Sequence, residues 1–159
     1  MTDPYETWKA QEIRRPDGVP HLAGLSGLVE QRAVHNDRLM LHRLPADHPG
    51  ERGTAGDALA ALALGEAIRR RIADEHGSRV HEALELGASW TEVAAALDIT
   101  PDDARALLRT WADGQHQLYR SDLADGRSRP LGMDDATYAV VLALYELGDD
   151  EAVNLINPS

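Results

Sequence analysis

Two arginines near the middle of the chain, Arg105 and Arg109, have side chains and a spacing suited to nucleic-acid recognition. They are four residues apart, which is about one turn of a helix. A guanidinium can donate to the edge of guanine or to phosphate oxygens, and Asp102 can accept from cytosine or stabilise a helix start. We predict that the outward positions of this helix, which would face a DNA major groove, are Thr100, Pro101, Asp102, Arg105, Ala106, Arg109 and Thr110.

The stretch from Ser89 to Arg109 must position these side chains, and its pattern predicts two short helices joined by a tight turn. Helices that cross steeply need small residues at the crossing and apolar residues around it. Thr100 is a good N-cap, and Pro101 suits the first helical position. The residues predicted to face inward are Val93, Ala94, Leu97, Ile99, Ala104 and Leu107.

This segment resembles the helix-turn-helix of bacterial transcription regulators and of the promoter-reading domain of sigma factors, over residues 89–109. The resemblance implies sequence-specific binding of double-stranded DNA and a role in transcription regulation; plasmid, phage or chromosome maintenance would use the same domain. Asp98 stands where the pattern usually has Gly, and we expect a left-handed backbone there, which Asp tolerates.

Further arginines could contact the DNA backbone. Arg69, Arg70 and Arg71 form the densest basic cluster, although three consecutive residues on a helix are at least as consistent with a solvated face. Arg127 and Arg129 lie in a predicted loop, where they would act as a minor-groove arm or simply as soluble loop residues.

The net charge opposes this interpretation. The chain has 16 Lys+Arg and 27 Asp+Glu, a net charge of -11, whereas DNA affinity comes largely from neutralising phosphates. An alternative function is therefore an acidic helical adaptor that binds a protein partner, such as polymerase or another regulator, through a helix-turn-helix fold that no longer binds DNA.

Composition and periodicity predict an all-α fold. Together with the pattern and resemblance at residues 89–109, they lead us to expect a trihelical, helix-turn-helix core, an N-terminal helical arm and an additional C-terminal helix. We assign residues 1–50 to the arm, with a short helix to about Arg15. Residues 57–120 form the helical domain, with the helix-turn-helix at 91–110. Within it, a helix capped by Asp57 stops at Gly77 and another starts at Ser78.

Residues 130–159 are predicted to form the C-terminal helix and an acidic tail. The helix is apolar on most sides, from Ala136 to Leu147, which indicates burial on most sides. It is either the central helix of the fold or half of a homodimer interface, and a two-fold dimer would suit paired DNA half-sites.

Other chemistries find little support in the sequence. The chain has no cysteine, and His35 and His42 are two helical turns apart, too far for one metal ion without further ligands. No nucleophile, base and orienting group converge, so we expect neither an enzyme nor a cofactor. With no apolar run of membrane-spanning length, the sequence predicts a cytoplasmic protein.

Overall fold

The computed structural model describes residues 12–21 and 23–153, and within them the chain forms five α-helices and no strand. The all-α prediction is confirmed. The helices are α1 (Leu25–His42), α2 (Ala55–Glu85), α3 (Trp90–Leu97), α4 (Pro101–Ala124) and α5 (Asp135–Tyr145), and a short 3₁₀ turn spans Pro16–Gly18. None of these helices combines the length and apolarity needed to cross a bilayer.

The chain divides into an N-terminal unit, Met1–Ala73, and a C-terminal unit, Asp74–Ser159. The sequence places the division at residues 50–57, whereas in the structure it falls within α2. Most of the short helix predicted to about Arg15 lies outside the described residues, and residues 12–15, which are described, are not helical.

In the N-terminal unit, α1 and the first part of α2 share one apolar core. It is formed by Ile13, Val19, Ala23, Leu28, Ala60, Ala63, Leu64 and Ala67. The sequence predicted that Asp57 is the N-cap of α2, and this prediction is wrong. Thr54 holds that place, because the Asp57 backbone N–H donates to its hydroxyl, and the Asp57 carboxylate accepts from the Thr54 backbone N–H at 2.8 Å. The pair forms a reciprocal cap in the manner of a capping box.

The predicted helix stop at Gly77 is wrong, since α2 continues through it to Glu85. Gly77 is buried, and a Cβ placed on it would lie 2.1 Å from the Cβ of Trp111 on α4. The glycine therefore allows two helices to approach closely. Glycine destabilises a helix interior because it loses more backbone entropy than other residues, but this loss does not end α2. Ser78 likewise starts no helix, because its hydroxyl donates back to the carbonyl of Glu75 at 2.9 Å.

In the C-terminal unit, α3 and α4 are joined by the three-residue turn that the sequence predicts. Ser89 and Glu92 form a complete capping box at the start of α3, and the Thr100 hydroxyl accepts from the backbone N–H of Asp103 at the start of α4. Asp98 has φ 54° and ψ 45°, the expected left-handed conformation.

The core of this unit contains the predicted inward residues with one change. Val93, Ala94 and Ala104 are buried, but Leu108, not Leu107, is the fully buried leucine of α4. The inward face of α4 consists of Ala104, Leu108 and Ala112, which are four residues apart and lie on one side of the helix. Leu107 lies at the edge of that side and is only half-buried.

One side of α5 completes the core of the C-terminal unit. Val141 and Leu144 are buried there, and the indole N–H of Trp90 donates to the carbonyl of Leu144 at 3.1 Å. Within this chain α5 is not the central helix of the fold, one of the two alternatives drawn from its apolar sequence, because the opposite side stays exposed: Ala136, Ala139, Val140 and Ala143.

Candidate recognition surface

Arg105, the first residue predicted to read DNA, is not on the outer surface. Its side chain is 13% exposed. It donates to the carbonyls of Tyr145 at 3.3 Å and Leu147 at 2.9 Å, forms an ion pair with Asp149 at 2.6 Å, and lies 5.1 Å from the centre of the Trp90 ring. The predicted outward orientation is therefore wrong for Arg105, because the last residue of α5 and the chain after it supply carbonyls and a carboxylate that bind its guanidinium.

Residues 146–151, which we call the acidic segment, also cover the start of α3. The backbone N–H of Thr91 donates to the carbonyl of Asp149 at 2.9 Å, and the Thr91 hydroxyl donates to the carboxylate of Asp150 at 2.8 Å. Backbone N–H groups at a helix start are ordinary phosphate-binding groups. Here one of them is already bonded to a part of the chain that carries carboxylates.

The second predicted DNA-reading residue, Arg109, lies at the surface in an ion pair. Its Nε donates to Asp113 at 3.1 Å, and the Asp113 carboxylate raises the pKa of Arg109. The guanidinium also lies 5.9 Å from the Tyr145 ring centre, and its side chain is 48% exposed. An ion pair this exposed is weak, so a phosphate could compete for Arg109 far more readily than for Arg105.

The remaining predicted positions on this side of α4 bring no positive charge. Thr100 donates its hydroxyl to Asp103 at 2.8 Å, and Ala106 and Thr110 are exposed. The side chain of Asp102 is 95% exposed, although its carboxylate accepts from Arg105 at 3.2 Å. The surface around the start of α4 is thus polar and negatively charged.

Of the other arginines predicted to contact the DNA backbone, all but Arg129 have a nearby acceptor in the structure. In the N-terminal unit, Arg69 and Arg70 both donate to Glu66, at 2.8 and 2.9 Å, and these bonds lower the pKa of Glu66 to about 2. Arg71 donates to the backbone carbonyls of Pro20 and Ala23. In the C-terminal unit, Arg127 lies 3.4 Å from the carboxylate of buried Asp122, and Arg129 is exposed.

A polar groove of about 600 Å³ lies along the outer side of α4, next to α5. Tyr138 donates to Asp113 at 2.6 Å and stacks on His116 at 4.2 Å, and His116 contacts Asp135 at 2.6 Å. The hydrogen bond to Asp113 raises the pKa of the Tyr138 hydroxyl. The bonded side chains Asp113, His116, Asp135 and Tyr138 therefore join α4 to α5 on one side of this groove.

Charge is distributed very unevenly between the two units. Met1–Ala73 carries 10 Lys+Arg and 10 Asp+Glu, whereas Asp74–Ser159 carries 6 Lys+Arg and 17 Asp+Glu. The entire net charge of -11 therefore belongs to the unit that contains the proposed DNA-reading helix.

Sequence reasoning missed two features of this surface. The capping box of α3 was visible locally as Ser89-Trp90-Thr91-Glu92. The contacts of Asp149 and Asp150 with Arg105 and Thr91 left no local signal, because their partners are far apart along the chain.

Within the described residues, no three metal-ligating side chains come together. No family model, curated protein or solved structure matches the chain. The surface must therefore be interpreted from its own chemistry.

Proposed function

We propose that the C-terminal unit is a protein-docking module built on a helix-turn-helix scaffold. The observation that carries the proposal is the acidic segment: it binds Arg105 and the start of α3, the places where a helix-turn-helix would contact DNA. The proposal corresponds to the adaptor alternative drawn from the sequence.

Electrostatics supports the same choice. A phosphate approaching this surface must displace Asp149 from a mostly buried arginine that also donates to two backbone carbonyls. It must do so against a unit with eleven more acidic than basic residues. Since DNA affinity depends on neutralising phosphates, this surface disfavours DNA at every salt concentration low enough to leave charge interactions unscreened.

The exposed side of α5 supplies a suitable docking surface. Val140 is 61% exposed, and beside it an open groove of about 620 Å³ is lined mainly by apolar side chains: Val140, Ala143, Leu144, Leu147, Ala152 and Val153. Glu151 lies at the same groove. Residues 130–159 contain six Asp or Glu and no Lys or Arg.

An apolar strip with acidic surroundings fits an amphipathic helix whose flanks are basic. A second copy of the C-terminal unit would instead bring like charges together, so we assign this surface to a different, basic protein. The homodimer predicted through α5 is disfavoured for the same reason.

The test uses a synthetic helical peptide of leucine and lysine at amphipathic spacing, with a leucine–glutamate peptide of the same pattern as the charge control. Binding is followed by NMR of the isotope-labelled full chain. We expect the lysine peptide alone to bind, with shifts centred on Ala139, Val140 and Ala143, and with affinity that falls as salt rises.

Val140→Asp should abolish this binding, whereas Leu131→Asp, at a residue that is similarly exposed (59%) but outside α5, should not. Binding that is absent, that ignores Val140→Asp, or that is equal for both peptides would overturn the assignment.

Sequence-specific binding of double-stranded DNA by a bacterial transcription regulator is the second candidate function. The start of α4 at Thr100 and the left-handed turn at Asp98 favour it, because they are the features that the resemblance requires. It needs the acidic segment to leave Arg105 before DNA binds.

Selection of genomic fragments at low and then near-physiological salt separates the two functions. The proteins compared are the wild type, Arg109→Ala and the double variant Asp149→Asn with Asp150→Asn. Arg109 is the better probe than Arg105, whose removal would also disturb packing. A defined site that survives higher salt, is lost in Arg109→Ala and is strengthened in the double variant would favour DNA binding. No retained fragment would favour docking.

A further inference from the structure

The docking groove beside α5 is built only in part by α5. The helix contributes Val140, Ala143 and Leu144 to its lining. The rest of the lining comes from the chain after the helix: Leu147, Glu151, Ala152 and Val153. The groove is therefore complete only while the acidic segment keeps its place in the C-terminal unit.

The acidic segment forms neither a helix nor a strand, so its position depends on contacts with α3 and α4. At the start of α3, Thr91 binds Asp149 and Asp150 through its backbone N–H and its hydroxyl. On α4 the contact comes from Arg105, whose side chain is only 13% exposed. Because water reaches this guanidinium poorly, its contacts are the better shielded of the two sets.

Arg105 binds the acidic segment at two points that are close together along the chain. One nitrogen of its guanidinium donates to the Leu147 carbonyl at 2.9 Å and lies 2.6 Å from the Asp149 carboxylate. Leu147 itself lines the groove. Asp149 belongs to a turn in which the Gly148 backbone N–H donates to the Glu151 carboxylate at 2.8 Å, and Glu151 also lies at the groove.

From these contacts we infer that Arg105 is a positioning residue for the docking groove: it holds Leu147 and Asp149, and thereby keeps the rest of the lining beside α5. The inference rests on the docking function proposed above. It implies that docking and release of the acidic segment oppose each other, because a ligand that needs the complete groove stabilises the segment where it lies.

The first test uses a variant whose effect on charge and whose effect on the groove have opposite signs. Arg105→Gln removes a positive charge, which by itself favours a basic peptide. We nevertheless expect it to raise the dissociation constant of the lysine peptide by about tenfold in the NMR titration, because fewer molecules hold a complete groove. Arg109→Gln is the matched control. It removes the same charge from α4 at a residue bonded to Asp113, and it should not raise the dissociation constant.

A second pair of variants keeps the inference falsifiable if circular dichroism shows that Arg105→Gln does not fold. Asp149→Asn removes the ion pair with Arg105, whereas Glu146→Gln removes one negative charge from the same segment at an exposed residue that is not among the groups bound to Arg105. Asp149→Asn should raise the dissociation constant by about tenfold. Glu146→Gln should raise it by no more than about threefold, because one exposed charge contributes little.

Hydrogen exchange in the wild type tests the coupling itself. With the lysine peptide at about ten times its dissociation constant, exchange of the Thr91 amide should slow by about tenfold, because the segment can open only after the peptide leaves. The Asp103 amide is the control. It donates to the Thr100 hydroxyl at the start of α4, outside the acidic segment, and its exchange rate should not change.

The inference is overturned if Arg105→Gln is folded and binds the peptide as tightly as the wild type, if Asp149→Asn and Glu146→Gln have equal effects, or if the amides of Thr91 and Asp103 slow equally. Failure of the docking function has a different signature, since the wild type itself would then not bind, and this result overturns both proposals. Binding that Val140→Asp abolishes but that Arg105→Gln retains refutes only the inference.

Discussion

Replacing Gly77 by alanine tests directly how α2 and α4 pack in the C-terminal unit. At an open helical position, Gly→Ala stabilises a protein by roughly 0.5–1 kcal/mol, because glycine loses more backbone entropy on folding. At Gly77 the new Cβ would lie 2.1 Å from the Cβ of Trp111, 2.7 Å from its Cγ and 3.0 Å from the carbonyl oxygen of Leu107.

The size of the effect follows from what must move. Ordinary carbon–carbon contact is about 3.5–4.0 Å, so the two helices would have to separate by roughly 1.5 Å. A new side-chain rotamer gives no relief, because the closest atoms are the root of Trp111 and the backbone of α4. Overpacking of this kind costs about 1–3 kcal/mol or more, which outweighs the gain in helix propensity. We expect Gly77→Ala to be less stable than the wild type by about 1–2 kcal/mol.

Gly114→Ala is the matched control, since Gly114 is also inside a helix but a Cβ added there would meet no atom within 4 Å. We expect it to be more stable than the wild type by up to about 1 kcal/mol. Urea unfolding followed by circular dichroism measures both variants. If Gly77→Ala matched or exceeded Gly114→Ala in stability, the close approach of α2 and α4, and with it our account of the uninterrupted helix, would be refuted.

Two further predictions concern charged groups. The pKa of buried Asp57 is held well below its usual range, chiefly by the hydrogen bond from His35. The ionised carboxylate therefore stabilises the fold fully at pH values above its ordinary pKa near 3.8, and this stabilisation is lost progressively as the pH falls below that value. Asp57→Asn should cost about 1.5–3 kcal/mol in urea unfolding at pH 7 and clearly less at pH 3; an equal cost at both would contradict this. Arg105→Ala should speed hydrogen exchange of the Thr91 amide, which donates to Asp149, whereas Arg109→Ala should not; slow exchange in both would mean that Arg105 does not hold the acidic segment.

Local signals in the sequence predicted local structure well. The start of α4 was predicted from Thr100 and Pro101, and the left-handed residue from the position of Asp98 in the turn. In each case the contacts that determine the structure lie within a few residues, so the local sequence pattern is sufficient to predict it.

The errors arose where a distant residue decides the outcome. The local sequence predicts a helix stop at Gly77, but Trp111, 34 residues later, packs against this glycine inside a continuous helix. The local sequence likewise predicts that Arg105 points outward, but Asp149 pairs with it. The prediction for the exposed side of α5 failed for a related reason. An apolar helix surface is expected to pack against something, but the sequence does not say whether the packing partner belongs to the same chain.

The contrast between the inside and the outside of α3 and α4 also explains why the resemblance and the proposed function differ. Val93, Ala94 and Ala104 determine that two helices can cross closely, and this requirement is the same whatever the outer surface binds. DNA binding depends on the outer charges, where the C-terminal unit has 17 acidic and 6 basic residues and one predicted DNA-reading arginine is mostly buried. A phosphate-binding face would need both release of the acidic segment and the reversal of several charges. No single substitution can supply both. If the proposed docking function is correct, single-residue variants outside α5 and outside the contacts that hold the acidic segment should leave peptide binding at α5 unchanged, and none of them alone should create binding to DNA.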